Sequence, residues 1–154
     1  MRWLVFAGAV ALVGGGLLAA GPGPARDKPR DFDGKVVPLK EVLQKAGLRL
    51  DADAAAQWLA LVADDGQVYP LIKDDGSRLF FLDPRLQQRR MRVAGRLFPD
   101  THLLQVLAVN SYVNGQLCDL YYWCERCSIR RNEKLEHCDC CGGPLELREE
   151  PLKK

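Results

Sequence analysis

Four cysteines near the C-terminus stand in two pairs, and two residues separate the partners of each pair. Two intervening residues let the chain curl so that both sulfurs of a pair face one ion, and four thiolates complete the tetrahedral shell that Zn²⁺ prefers. The two glycines that follow the second pair can supply the positive φ that such a turn needs. The spacing therefore predicts a closed, structural Zn²⁺ site, with iron as the alternative ion for the same thiolate cage and disulfides as the alternative to a metal. The predicted ligands are Cys124, Cys127, Cys138 and Cys141.

The two cysteine pairs resemble the knuckles of a rubredoxin-type zinc ribbon, in which four cysteines on two turns hold a structural metal. The first knuckle is Cys124–Cys127 and the second is Cys138–Cys141. The resemblance is confined to the C-terminal segment, so the ribbon is predicted to occupy residues 118–150. Between the knuckles, Ser128–His137 is predicted to form a tight hairpin that joins them. The resemblance implies that the metal serves folding, and it does not identify a biological task.

Two further cysteines, Cys118 and Cys140, stand outside the predicted ligand set. Cys118 lies on a predicted strand and is expected to be a small buried apolar residue, whereas Cys140 is expected to be a bystander within the second knuckle. A disulfide between the two is the alternative, because an even number of cysteines in an exported protein is typical of disulfides. His137 is adjacent to a cysteine in the correct register, and it is therefore expected to face solvent.

Residues 1–25 have the composition of a signal peptide. Arg2 precedes the apolar run Trp3–Val13, and glycine-rich and proline-rich sequence follows. Cleavage after Ala20 or Ala25 would leave about 130 residues, enough for one compact domain with a small appendage. The alternative is a retained N-terminal anchor, because the apolar stretch just reaches the roughly 18 residues that a membrane span needs. The predicted location is the periplasm or the cell envelope.

Residues 26–57 are predicted to contain a linker and an amphipathic helix. Arg26–Gly34 is polar and contains proline, which is typical of a mobile linker. Pro38 then opens a segment with apolar residues at helical spacing, and Gly47 is the predicted stop signal. We expect this helix to pack one face on the domain.

Residues 58–117 are predicted to form a small antiparallel β-barrel. Asp64–Gly66 and Asp74–Gly76 are both Asp-Gly hairpin signals, and Pro84–Gln88 has the length of one helical turn. Short antiparallel strands in so small a domain tend to close on themselves, because an open sheet would expose its edges. The predicted strands are Trp58–Ala63, Gln67–Ile72, Ser77–Leu82, Arg90–Phe98, Leu103–Val113 and Leu117–Trp123.

The order of these segments resembles an OB-type barrel, as found in several small exported bacterial proteins. The likeness is carried by Asp64–Ile72, Met91–Leu97 and Leu103–Val106. It implies a mainly β fold, namely an OB-like barrel with an N-terminal helix and a C-terminal zinc ribbon. OB barrels serve many binding tasks, so the resemblance implies a binding platform and no particular ligand.

The sequence does not assemble a catalytic site. It contains two histidines, His102 and His137, and lacks the serine-hydrolase, zinc-protease, phosphate-loop and haem-attachment motifs. Four cysteines around one Zn²⁺ also leave no open coordination position for a water molecule. A formal net charge of +2 is too small to indicate nucleic-acid binding by itself. We therefore expect a protein that is not an enzyme.

Three functional hypotheses follow. The first is an exported binding or scaffold module for an unknown protein or envelope partner, with a contact seam at Tyr121–Trp123 beside Arg126. The second is nucleic-acid binding along a strand face that carries Arg90, Arg92 and Arg96, which export argues against. The third is thiol or metal handling by the cysteines. Membrane contact is expected only through the N-terminal segment, if that segment is retained.

Overall fold

The computed structural model describes residues 28–49, 51, 53 and 57–153, and the predicted leader therefore lies outside the described residues. The described chain is mainly β, as predicted, with eight strands in one sheet. Among the elements that lie wholly within the described residues, two short helices and a 3₁₀ helix connect some of these strands. The strands are β1 Arg30–Pro38, β2 Leu59–Ala63, β3 Val68–Pro70, β4 Arg90–Leu97, β5 Leu104–Val113, β6 Gln116–Cys124, β7 Ile129–Arg131 and β8 Glu146–Pro151, and the helices are α1 Leu39–Lys45, α2 Arg78–Leu82 and the 3₁₀ helix Pro84–Leu86.

Strand β1 corrects the predicted linker at Arg26–Gly34. It pairs antiparallel with β2 on one edge and with β4 on the other, so it is a central strand. Its alternate residues Phe32, Gly34 and Val36 point into the domain, and the two apolar side chains belong to the core. At Gly34 the neighbouring strand comes so close that a β-carbon would lie 2.3 Å from the Val62 carbonyl oxygen. Charged residues alternate with these inward positions, and they made the half-buried strand resemble a polar linker in the sequence.

Helix α1 forms where the sequence predicts it. It begins directly after Pro38 and ends at Lys45, and Gly47 follows with a φ of 81°. A left-handed conformation of this kind ends a helix and favours glycine. None of the α1 residues is fully buried, so the helix lies half-buried on the surface and contributes little to the core.

The segment Ser77–Leu82, predicted as a strand, is helical, and most of it forms α2. The two Asp-Gly signals have different outcomes. Asp64–Gly66 makes the predicted hairpin turn between β2 and β3, with Gly66 at a φ of 85°. By contrast, the backbone N–H of Ser77 donates to the Asp74 carboxylate and the N–H of Asp74 donates to the Ser77 hydroxyl. This reciprocal pair of hydrogen bonds favours the start of a helix over a hairpin.

The sheet curls but does not close into the predicted barrel. Within its first five strands the order is β3-β2-β1-β4-β5, and Leu71, directly after β3, forms one parallel bridge with Leu104 of β5. Strand β3 is only three residues long and ends at Pro70, which has no N–H to extend a ladder. The concave side holds the apolar core, whose fully buried side chains include Val36, Leu61, Phe80, Leu86, Met91, Val93 and Leu104.

The first five strands, β1–β5, form the curled sheet, and strand β6 leads from it to the cysteines. It pairs with β5 over residues 116–119, with β8 over residues 118–123 and with β7 over residues 122–124. Because residues 118 and 119 pair with both β5 and β8, these two strands lie on opposite edges of β6. Residues 122 and 123 pair with both β7 and β8, so β7 lies on the same edge of β6 as β5. The predicted hairpin within Ser128–His137 is therefore wrong, since Ile129–Arg131 pairs back onto β6 instead.

Candidate metal centre

The structure brings the four predicted ligands together. One sulfur from each of Cys124, Cys127, Cys138 and Cys141 lies within 4.8 Å of all the others. The Sγ atoms of Cys124 and Cys141 are 3.5 Å apart. Zn–S bonds of about 2.3 Å in a tetrahedral shell place the sulfurs about 3.8 Å from one another. The four thiols could therefore hold a metal ion of this size without rearrangement of the chain.

The two knuckles obtain their shape from different local features. In the first, Cys124 is the last residue of β6 and is paired with Ile129, and Ser128 turns the chain at a φ of 51°. In the second, the N–H of Gly142 donates to the Cys138 carbonyl at 2.8 Å. Gly142 has a φ of 67°, which an L-residue rarely adopts. Each knuckle is thus followed directly by a residue with positive φ.

Only one of the two glycines after the second knuckle supplies positive φ. Gly143 instead leaves room, because a β-carbon there would lie 3.2 Å from both the Cys141 sulfur and the Arg126 side chain. Its carbonyl also accepts a hydrogen bond from the N–H of Cys138 at 2.8 Å. The glycine pair therefore has two separate structural roles, one conformational and one steric.

The four thiols differ in burial, and the pKa values of Cys127 and Cys138 are shifted in opposite directions. Cys124 and Cys138 are buried, Cys127 is half-buried and Cys141 is exposed. Backbone N–H groups of Cys140 and Cys141 lower the pKa of the Cys138 thiol to about 7, because they stabilise its thiolate. The neighbouring Cys140 and Cys141 thiols raise the pKa of Cys127. A bound cation would favour the thiolate form at all four ligand positions.

The remaining cysteines and His137 lie outside this cluster. Cys118 is 3% exposed on β6, as expected for a small buried apolar residue. Cys140 is exposed within the second knuckle, and both residues are free thiols, so the alternative disulfide between them is not formed. His137 is exposed, in agreement with the prediction that it faces solvent.

The predicted contact seam is less accessible than its sequence implies. Tyr121 and Tyr122 point to opposite sides of β6, as successive strand residues do, yet both are buried. Neither tyrosine of the predicted seam is therefore open to solvent. Arg130 lies over the Tyr121 ring at 4.5 Å, and the Tyr121 hydroxyl donates to Glu150 at 2.7 Å. Side chains of β7 and β8 thus cover the outer tyrosine.

Trp123 is the partly exposed aromatic residue of the seam. Its indole N–H donates to the Glu125 carboxylate at 2.8 Å, and Arg148 lies over its ring at 5.2 Å. Arg148 in turn forms an ion pair with Glu125 at 2.6 Å. Part of the tryptophan surface is therefore already used inside the chain.

A buried polar network near the ribbon was not predicted from the sequence. The side chain of Asp83 is 1% exposed and accepts hydrogen bonds from Arg85 and, at 2.9 Å, from the Tyr122 hydroxyl. The paired guanidinium holds the pKa of Asp83 at about 2, which keeps the carboxylate charged. The Asp-Pro dipeptide at residues 83–84 indicates a cap for the 3₁₀ helix. No neighbouring residue in the sequence indicates that Asp83 also bonds to Tyr122 of β6.

The arginines that favoured nucleic-acid binding are largely engaged with carboxylates. Arg92 forms two hydrogen bonds to Asp33, at 2.9 and 2.8 Å. Arg90 pairs with Asp64 at 2.7 Å. Arg96 has a buried Nε atom without a hydrogen-bond partner in the described part of the chain. This strand face therefore presents less free positive charge than the sequence indicates.

Comparisons with protein-family models, with curated proteins and with solved structures find no match for the chain. Within the described ranges, no helix combines the length and the apolar character that crossing a membrane requires.

Proposed function

We propose that this chain is a non-catalytic, exported binding or scaffold module whose C-terminal zinc ribbon holds one structural Zn²⁺. The observation that carries the proposal is the convergence of four cysteine sulfurs within 4.8 Å of one another. A shell of four thiolates is closed, so it has no position for the metal-bound water that a hydrolytic site requires. The metal then stabilises the ribbon and takes no part in a reaction.

The binding role is supported by the pairing pattern of the curled sheet. Strand β1 pairs with β2 and β4, β2 pairs with β3, and β4 pairs with β5. The Leu71–Leu104 bridge adds a point of contact between the third strand and the fifth. This pairing resembles that of a partly open five-stranded barrel of the OB type, a fold that commonly serves as a recognition platform.

Metal content tests the structural half of the proposal. Freshly purified, reduced protein should contain one Zn²⁺ per chain by elemental analysis. Cys124→Ser and Cys141→Ser should lose the metal because three thiolates bind it more weakly. Cys118→Ser is the matched control, since Cys118 lies on the same strand outside the cluster, and it should keep the metal. A metal content near zero in the wild-type protein would refute the zinc ribbon.

The binding half is tested by comparing partners. Wild-type and Trp123→Ala proteins of verified metal content should be used to capture partners from envelope extract, and the variant should lose a partner. Tyr112→Phe, which changes an aromatic residue of β5 outside the seam, serves as the control. Identical partner profiles for all three would exclude the seam as the contact surface. The N-terminal sequence of the mature protein tests export and cleavage of residues 1–25.

Thiol or metal handling is a second candidate function, and the exposure of Cys140 and Cys141 favours it. A metal-handling protein should pass Zn²⁺ rapidly to a competing chelator, and Cys140→Ser should slow that transfer. A structural ribbon should release the metal slowly, at a rate that Cys140→Ser does not change. The two functions are thus separated by the kinetics of metal exchange.

A further inference from the structure

Tyr122 lies on the same face of β6 as the first metal ligand. Alternate residues of a strand share a face, and Tyr122 precedes Cys124 by two positions, which is about 7 Å along the strand. The tyrosine side chain is directed into the protein and is 1% exposed. Its hydroxyl donates to the Asp83 carboxylate at 2.9 Å. The segment that carries the first ligand is therefore hydrogen-bonded to a loop of the curled sheet.

Asp83 is a rigid acceptor for this bond. The Arg85 guanidinium donates to both carboxylate oxygens, at 2.8 Å and 2.6 Å, which fixes the plane of the carboxylate. The backbone N–H of Asp83 donates to the Leu79 carbonyl at 2.9 Å, which fixes the main chain. The position of the Tyr122 hydroxyl is therefore set by the curled sheet and not by the ribbon.

The ladder of the curled sheet does not hold this end of β6. Pairing with β5 ends at Asp119, and beyond this residue β6 pairs with β7 and β8 alone. Strand β7 is three residues long and lies between the two knuckles. The strands that support Cys124 thus belong to the ribbon itself, whereas the Tyr122–Asp83 bond comes from outside it.

We propose that Tyr122 is a positioning residue for the metal centre, and that its hydrogen bond to Asp83 holds Cys124 in the orientation that binds the ion. The inference rests on the proposed metal site and adds that metal affinity depends on a contact made outside the ribbon. The bond favours the orientation of β6 in which the Cys124 sulfur lies close to the other three sulfurs. Loss of the bond lowers the fraction of chains with β6 in this orientation, and the apparent affinity for the metal ion falls by the same factor.

The test is the Zn²⁺ dissociation constant of the full chain, measured by competition with a chelator of known affinity. A hydrogen bond to a buried carboxylate is strong enough that Tyr122→Phe should raise the dissociation constant about tenfold. Tyr121→Phe is the matched control, because it removes the same hydroxyl from the adjacent residue on the outer face. It should change the constant by about twofold at most.

A second control separates positioning from general destabilisation. Val93→Ala truncates a fully buried residue of β4 far from the ribbon in sequence, and it should lower the free energy of unfolding without changing the metal affinity. Equal dissociation constants for wild-type and Tyr122→Phe proteins would overturn the inference, as would an equal weakening by Val93→Ala. Absence of metal from the wild-type protein would instead refute the proposed metal site.

Discussion

The curled sheet and the ribbon belong to one continuous sheet, but different interactions stabilise them. The apolar core is built from β1–β5, α2 and the 3₁₀ helix, and β6 adds Leu120 to it. Within residues 118–150, β6 also buries Cys118, Tyr121 and Tyr122, but beyond these positions the ribbon buries chiefly Cys124 and Cys138 and surrounds its sheet with ion pairs. These pairs are Arg130–Asp119, Arg131–Asp139, Arg148–Glu125 and Arg148–Glu146.

This difference indicates where each region obtains its stability. Burial of apolar surface contributes about 25 cal/mol per Å², so the side chains of the core stabilise the curled sheet directly. Ion pairs at an exposed surface contribute about 0–1 kcal/mol each. The proposed metal would therefore contribute far more to the stability of the ribbon than the ion pairs do. The contrast can be tested by removing one class of interaction at a time.

Removal of the metal should have the largest effect, and the effect should be confined mainly to the ribbon. A structural Zn²⁺ contributes about 10 kcal/mol or more to folding. With chelator, amide hydrogen exchange should rise strongly at β7 and in both knuckles, whereas β1 and β4 should stay protected. Residues near Leu120 should show an intermediate change, because Leu120 belongs to the core.

The region-resolved exchange pattern also has an outcome that would contradict the comparison. If protection of β1 and β4 is lost at the same chelator concentration as protection of the knuckles, then the chain unfolds as one cooperative unit. Chain treated with a metal-saturated chelator is the control for non-specific effects.

Truncation of the core should have the next largest effect, and it should spare the metal site. Phe80 is fully buried on α2 and belongs to the core. Phe80→Ala should lower the free energy of unfolding by about 3–5 kcal/mol, because it removes apolar contacts and leaves a cavity. Denaturant unfolding of the metal-loaded protein measures this change. One Zn²⁺ per chain should remain, and loss of the metal would show that the ribbon depends on the core.

The cysteine cluster could be predicted because the two turns that form it are encoded locally. Two residues between the cysteines of each pair are enough to define a turn, and nothing distant is needed to recognise it. The helix that starts after Pro38 was predictable for the same reason. Features that depend on neighbours distant in sequence were not predictable in this way.

Strand β1 and the second Asp-Gly turn show this limit. Arg30, Asp31 and Asp33 make the start of β1 look like a linker, and its assignment as a strand depends on pairing with β2 and β4. Asp74–Gly76 has the same three residue types as the hairpin turn at Asp64–Gly66. Its different outcome depends on the Ser77 hydrogen bonds and on close contact of Gly76 with the Val106 carbonyl. The Tyr122–Asp83 bond likewise joins residues 39 positions apart.

Asp83 should make a smaller and pH-dependent contribution. Its pKa is about 2 in the folded chain and 3.8 in the unfolded reference. Because the folded pKa is the lower one, the stabilisation is fully present above pH 3.8 and is lost as the pH falls towards 2. A shift of this size corresponds to about 2 kcal/mol.

Asp83→Asn removes this pH-dependent term. The difference in unfolding free energy between the wild-type protein and the variant should therefore shrink by about 2 kcal/mol from pH 5 to pH 2. Because the Tyr122–Asp83 bond is proposed to support the metal site, both proteins are measured with a chelator present, so that metal release does not contribute to the difference. A difference that does not depend on pH would show that Asp83 stabilises the chain by packing alone.

A surface arginine of the ribbon should have the smallest effect. Arg130 pairs with Asp119 and lies over the Tyr121 ring at 4.5 Å, and its side chain is 45% exposed. Arg130→Gln should lower the free energy of unfolding by about 1 kcal/mol or less, since solvent screens the ion pair and the ring contact is partly exposed. Denaturant unfolding at low and at high salt should show a smaller loss at high salt, because added ions weaken the pair in the wild-type protein.

Arg130→Lys is the matched control, as it keeps the charge but loses the planar, two-pronged contact with the carboxylate. Arg130→Gln and Phe80→Ala could instead lower the free energy of unfolding by equal amounts. Surface charges would then stabilise the ribbon as strongly as apolar burial stabilises the curled sheet, and the proposed difference between the two regions would be wrong.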